Sequence, residues 1–443
     1  MGRFLAVAVA LAGFLVAGWF LDAPDERPRE WSVDSFSVTP ARLPIGCPGR
    51  LVLPVGDDGA ADGFFSSGSD DARYSLLIST AEPAIEIGGG WASTEPSGAE
   101  VERVGDGDLA GLAAVACTTP REDSWIVGGS TALGDSARLV LTNPAVTPSE
   151  VRVTVFGPAG PVEQPLAISV AGESQETVLL EGLASGITTT VVRVEATGAG
   201  VSAVVQDSRL DGFHPAGTDW AVPGSPPAER IVVAGVGPSN PAGEAGPAQV
   251  RLMAPNGATV RLTLVDSGGE VTWPGVSAIR LEAGVVLDVD VPEVGLATVL
   301  VEADAPVVAG ARSSTARQPE EGLDGDLERE FLWVAGQQPH GGSPHLVTMP
   351  YYTTSFVVYT DESEIFRAFD AATGTLLVER VLAPRTTTEV PISVPPVTVV
   401  EVAGDAMWVL RIADDPGFVA ALHPADVGEY PVDVAVNPEI YVP

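Results

Sequence analysis

Three stretches decide the fold: Val151-Arg152-Val153-Thr154-Val155-Phe156, Val260-Arg261-Leu262-Thr263-Leu264-Val265 and Phe366-Arg367-Ala368-Phe369. Apolar residues alternate there with arginine or threonine, the period-two pattern of a strand with one buried face. Each runs on to a glycine, Gly160, Gly269 or Gly374, that closes a hairpin. A second hairpin follows in every case. It reads Val192-Arg193-Val194-Glu195 then Val201-Ser202-Ala203-Val204-Val205, next Leu300-Val301-Glu302 then Val307-Val308-Ala309-Gly310, and last Val400-Glu401-Val402 then Met407-Trp408-Val409-Leu410. Upstream, Trp125-Ile126-Val127-Gly128, Trp220-Ala221-Val222-Pro223 and Trp333-Val334-Ala335-Gly336 open the three stretches, and their tryptophans are expected to be core anchors. β-rich runs at Arg138-Leu139-Val140-Leu141, Arg230-Ile231-Val232-Val233 and His345-Leu346-Val347-Thr348 come shortly after them. A fainter unit begins near Trp31, with Arg50-Leu51-Val52-Leu53 and a final Leu112-Ala113-Ala114-Val115-Ala116.

The expected organisation is therefore a stub, anchor and linker over 1–30, a divergent first β repeat over 31–124, and further repeats over 125–219, 220–332 and 333–443. Six or seven short strands per repeat predict an all-β chain of about four tandem immunoglobulin-like β-sandwiches behind an N-terminal transmembrane helix. A β-propeller is the alternative, suggested by the single turn Phe369-Asp370-Ala371-Ala372-Thr373-Gly374. Its blades would be shorter, about 40 to 50 residues. The joins are rich in proline and charge, at Pro223 to Ala228 and from Pro319 to Glu330, which predicts a semi-rigid assembly.

The chain has 443 residues, enough for about three average domains. Lys+Arg is 23 against Asp+Glu 59, a formal charge of −36, and no lysine occurs, so every basic residue is arginine. Schiff-base and P-loop lysine chemistry are thereby excluded. Strong net acidity argues against a nucleic-acid partner, whose phosphates need a basic surface. A 45% hydrophobic content with 49 Gly and 38 Pro suits many strands joined by turns.

Phe4 to Leu21 is an uncharged run preceded by Arg3 and followed by Asp22, Asp25 and Glu26. Its 18 residues would span about 27 Å as a helix, the short end of the bilayer-crossing range. The positive-inside rule leaves Arg3 in the cytoplasm and the bulk of the chain outside, as a single-pass signal anchor in the cell membrane. A cleaved signal peptide is the rival reading. The only cysteines, Cys47 and Cys117, are expected to form one disulfide in that compartment, two buried thiols being the alternative.

No catalytic, cofactor or metal set emerges. Ser130 in Gly128-Gly129-Ser130-Thr131 lacks the nucleophile-elbow spacing. His340 and His345 read as a surface loop, and His214 and His423 have no partner motif. Asp57, Asp58, Asp62, Asp70 and Asp71 read as a solvated acidic loop, with calcium as the alternative. Trp91, after Gly88-Gly89-Gly90, is a candidate ligand-facing aromatic, weighed against a core position.

The segment Cys117-Thr118-Thr119-Pro120-Arg121-Glu122-Asp123-Ser124-Trp125-Ile126-Val127-Gly128-Gly129, followed by Leu139-Val140-Leu141-Thr142-Asn143-Pro144, resembles a family of actinobacterial exported proteins known only as a domain of unknown function. The resemblance extends to about Asp415 and implies an envelope location, with no catalytic residues to transfer. The expected function is a non-enzymatic, membrane-anchored scaffold of the envelope. Its partner would be a protein of the wall-assembly machinery, with the bilayer engaged by the N-terminal helix. A module binding neutral wall glycan is the alternative, and an extracytoplasmic hydrolase comes third.

Overall fold

The structure, a computed structural model, describes residues 34–38, 44–53, 73–78, 84–105, 107–212, 214–238, 246–317, 327–339, 344–415, 417–426 and 432–436. The apolar run Phe4 to Leu21, the acidic cluster from Asp57 to Asp71, Trp31 and His340 lie outside them. Among the described residues no helix is long and apolar enough to cross a membrane. Their one helical element is a 3-10 turn, Leu180–Gly182, so the described part of the chain is all-β.

Arg42 to Gly428 forms one compact unit. A separate unit holds the antiparallel pair Asp34–Val38 and Val432–Val436. Those two strands therefore leave the repeats to which 31–124 and 333–443 assign them.

Four repeats build the large unit, and the second shows the plan. Its opening sheet runs Leu166–Val170, Ser149–Gly157, Val191–Ala196, Asp123–Val127, with Gly160–Pro161 also on Ser149–Gly157. Its closing sheet runs Ser174–Leu179, Asp135–Asn143, Ser202–Asp211, His214–Ala221. Val151, Val153 and Val155 of the alternating stretch meet Leu139, Leu141, Ala203 and Val205 across a shared core, while Arg152 points outward. The third repeat fuses its second hairpin into one strand, Ala297–Arg317, whose first half pairs in the opening sheet and whose second half pairs in the closing sheet. In the fourth, Thr353–Tyr359, Met407–Asp414 and Phe418–Leu422 make the equivalent closing sheet. The first repeat carries a shorter version, Arg73–Ile78, Gly98–Val104 and Gly111–Ala116.

This strand order departs from the immunoglobulin arrangement. There the first strand pairs with the second. Here the first strand, Asp123–Val127, pairs with Val191–Ala196, and Ser202–Asp211 pairs with Asp135–Asn143. Ser202–Asp211 also turns into a further closing strand, His214–Ala221, in the same sheet.

After its closing strand each repeat crosses back to pair with its own first strand. The four crossings are Gly46 with Thr118, Ile126 with Pro223, Val232 with Gln337, and Leu346 with Ala425. They place the repeat boundaries. Trp220 and Trp333 sit on closing strands of the preceding repeats, whereas Trp125 sits on the opening strand of its own. Boundaries at 125, 220 and 333 thus cut through strands; the chain passes between repeats after Thr118, Pro223 and Gln337. All three tryptophans are buried.

The repeats form a closed circle. Each closing strand packs beside the next, and Gly111–Ala116 of the first meets Phe418–Leu422 of the last. Each opening sheet stacks on the following repeat's closing sheet. Trp125, Val127 and Val191 meet Met253, Val286 and Val308; Ile231 and Val233 join Val357 and Val409; Val347 and Val402 share a core with Leu77 and Val101. The opening sheet of the first repeat meets the second through Thr118 Oγ1, 2.5 Å from Ser202 Oγ, and Gln175 Nε2, which donates to the Pro48 carbonyl at 2.9 Å. Gly217 (φ +102°) is required where the closing strands of the second and third repeats approach, since a Cβ there would stand 2.7 Å from the Phe331 ring.

Candidate functional site

The axis of the circle is lined by closing strands buried on both faces, and the polar groups on them bind one another. Asp219 Oδ2 accepts the Trp333 N–H at 2.7 Å, and its Oδ1 faces the Ala114 N–H at 3.5 Å, so one carboxylate ties three repeats together. Glu330 lies 3.7 Å from Arg317 and accepts the Leu112 N–H. Burial pushes both carboxyls well above the usual range. Arg317 also pairs with Glu328, and its guanidinium stacks 4.3 Å from the Phe418 ring. Arg103 of the first repeat covers that ring at 4.4 Å and pairs with Asp414 at 3.1 Å. Phe418 is thus held between arginines of two other repeats.

Cavities open at both ends of the closing strands. The exit end, where the closing strands leave, holds one of about 350 Å3 lined by Arg121, Asp123, Trp125, Gln338, His345 and His423 among others. His423 Nε2 accepts the Ala335 N–H at 2.9 Å, which fixes the proton on Nδ1, and burial pulls its pKa down to about 4. Its imidazole is therefore neutral at physiological pH. Asp123 is occupied by Arg193, whose Nε donates at 2.9 Å. Trp125 stacks on Phe156 with ring centroids 5.7 Å apart. The entry end holds a cavity of about 240 Å3 with Arg209, Arg312, Ser314 and Arg329 in its wall.

The sequence candidates fall elsewhere. Cys47 and Cys117 form a disulfide, S–S 2.04 Å, beside the crossing of the first repeat. Trp91 pairs with Cys47 in register, packs half-buried against that disulfide, and donates its indole N–H to Tyr74 Oη at 3.1 Å. Tyr74 in turn donates at 2.5 Å to Glu100, whose pKa burial raises to about 7. His345 is 6% exposed and begins a strand, which corrects its reading as a surface-loop residue: the opening strand of the last repeat lies between two sheets. Ser130 is buried and donates to Asp135 at 2.5 Å. Among the described residues no group of three or more His, Cys, Asp or Glu is placed to hold a metal.

Sequence reasoning missed the axial residues Asp219, Glu330 and Arg317 and the cavity arginines. One signal was available. Gly111-Leu112-Ala113-Ala114-Val115-Ala116, Phe331-Leu332-Trp333-Val334-Ala335 and Phe418-Val419-Ala420-Ala421-Leu422 are apolar without alternation, as strands buried on both faces are.

The profile of a family of unknown function (DUF5719) matches residues 68–392, well over half of the chain. The chain belongs to the DUF5719 family. The match starts in the first repeat and ends in the fourth, before the closing strand Phe418–Leu422. No curated protein and no solved structure matches the chain.

Proposed function

We propose that this DUF5719 protein is a non-enzymatic scaffold of an actinobacterial cell envelope, anchored in the membrane by Phe4 to Leu21 with its ring of repeats outside the cell. The observation that carries the reading is ring closure. Four repeats locked about one axis make a rigid body that presents four sets of loops and sheet edges at fixed spacing, which suits holding partners in register. The Cys47–Cys117 disulfide supports an oxidising, extracytoplasmic location. The axial carboxylates and arginines are committed to backbone groups and to each other, which supports a structural use of these charges. The partner would be a protein of the wall-assembly machinery.

A second reading, a neutral wall-glycan binder, is favoured by the exit-end cavity, where an indole, an amide and the neutral His423 imidazole line a sugar-sized space. Crosslinking the full-length protein in cells, with mass spectrometry of captured proteins and glycans, tests both. Reproducible capture of one membrane protein supports the scaffold. Recovery of polysaccharide with no protein partner replaces it by the glycan reading.

A further inference from the structure

We propose that the entry-end cavity is a binding site for an oxyanion, a phosphoryl or carboxylate group held by Arg209, Arg312 and Ser314. The cavity lies where the closing sheets of the second and third repeats meet, between the ends of Ser202–Asp211 and Glu328–Ala335. Arg312 gives Nη2 to the neutral Gln249 Oε1 at 2.9 Å. Among the described residues it enters no ion pair, and its Nε and Nη1 have no acceptor, yet neither atom is sealed from solvent. Arg209 gives Nε and Nη2 to Asp207 at 3.1 and 2.8 Å, leaving Nη1 for the cavity. The Phe331 ring lies under both guanidiniums, with centroid distances of 5.2 Å to Arg209 and 5.9 Å to Arg312, and this fixes their planes. The hydroxyl of Ser314 completes the wall.

Acids also line this cavity, and each has another engagement. Asp211 pairs with Arg329 at 2.9 Å, Glu330 with Arg317, and Asp135 Oδ2 accepts the Ser130 hydroxyl. Burial raises the pKa of both Asp135 and Glu330. Outside the cavity lining, Arg251 and Asp288 form an ion pair at 2.8 Å. In a chain of charge −36, a sheltered arginine with two open donors is the local exception. Guanidinium forks match carboxylate and phosphate geometry. Burial, with Arg209 beside it, pulls the Arg312 pKa down to about 9, a penalty that a bound anion relieves.

Isothermal titration of the full-length chain in non-ionic detergent and Tris chloride, with sodium phosphate and separately with sodium acetate, tests the site. Saturable binding of one anion is expected, weakened about tenfold or more by Arg312→Gln, the loss expected for a charged hydrogen bond. Ser314→Ala, at a half-exposed position, should weaken it several-fold and carries the test if Arg312→Gln does not fold. Arg230→Gln, which breaks a surface pair with Asp361, should leave it unchanged. Phosphate binding alone marks a phosphoryl ligand, and acetate binding marks a carboxylate. No saturable binding of either up to roughly 10 mM, or binding unaltered in both cavity variants, overturns the proposal.

Discussion

Phe418→Ala is the sharpest perturbation of the ring. Phe418 is fully buried on the closing strand of the last repeat, with Arg103 of the first repeat and Arg317 of the third on its ring. Removing a buried phenyl ring costs about 3–5 kcal/mol in transfer and cavity terms. Losing two sheltered cation–π contacts adds about 1 kcal/mol or more. The expected loss is therefore about 5 kcal/mol, which for a cooperative unit of about 390 residues lowers Tm by about 6 °C. Calorimetry measures the total, and hydrogen exchange places it: protection should fall in Gly111–Ala116, across the closure, as well as in Phe418–Leu422. Phe366→Ala is the comparison. Phe366 is equally buried but packs at a tilt on Phe356 within the fourth repeat, 5.3 Å away, so its loss should leave Gly111–Ala116 protected. A Phe418→Ala protein destabilised by under 1 kcal/mol, or showing no change in Gly111–Ala116, would refute the reasoning.

Cys47→Ser removes a bridge closing a loop of 70 residues, and chain entropy sets the cost at about 4 kcal/mol, read as a lower urea midpoint. His423, with a folded pKa of about 4 against an ordinary 6.5, refuses a proton that the unfolded chain accepts. Its contribution is complete above pH 6.5 and is lost as pH falls toward 4, by about 3 kcal/mol. His423→Gln should therefore lose less stability than the parent between pH 7 and 4.5, and an identical slope in both counts against a neutral buried imidazole. Glu100 has the opposite sign: its carboxyl titrates near 7 when folded and 4.5 when not, so stability is lost as pH rises through 7. Glu100→Gln should flatten that decline in denaturation curves taken from pH 5 to 8, and an unchanged decline speaks against the assignment.

The hairpins were legible because their rules are local. Val151 to Val155 alternates and runs on to a glycine with φ +102°, and Val260 to Leu264 does the same before Gly269 at φ +111°. Burial followed the period closely in both. Tryptophan positions misled, because Trp125 and Trp220 share a neighbourhood of small and β-branched residues while occupying opposite ends of the repeat plan. Ring closure was harder still. It joins Gly111–Ala116 to Phe418–Leu422, strands about 300 residues apart that carry no mutual pattern. Charged residues hid the axis further. Glu100, Glu102 and Arg103 alternate with apolar residues as if half the strand faced water, yet every residue of Gly98–Val104 is buried. The two carboxylates accept the Gly49 and Leu51 N–H groups, and Arg103 reaches Asp414. Only the second layer of sheet, brought in by tertiary packing, makes such a strand possible. The cavity arginines were illegible for the same reason: Arg209 and Arg312 come together across two repeats.

Small-angle scattering of the segment from Arg42 to Gly428 tests the closed circle most directly. Compact scaling for about 390 residues gives a radius of gyration near 21 Å, and closure predicts a value close to it. A radius above roughly 35 Å, as for four sandwiches strung end to end, would contradict it.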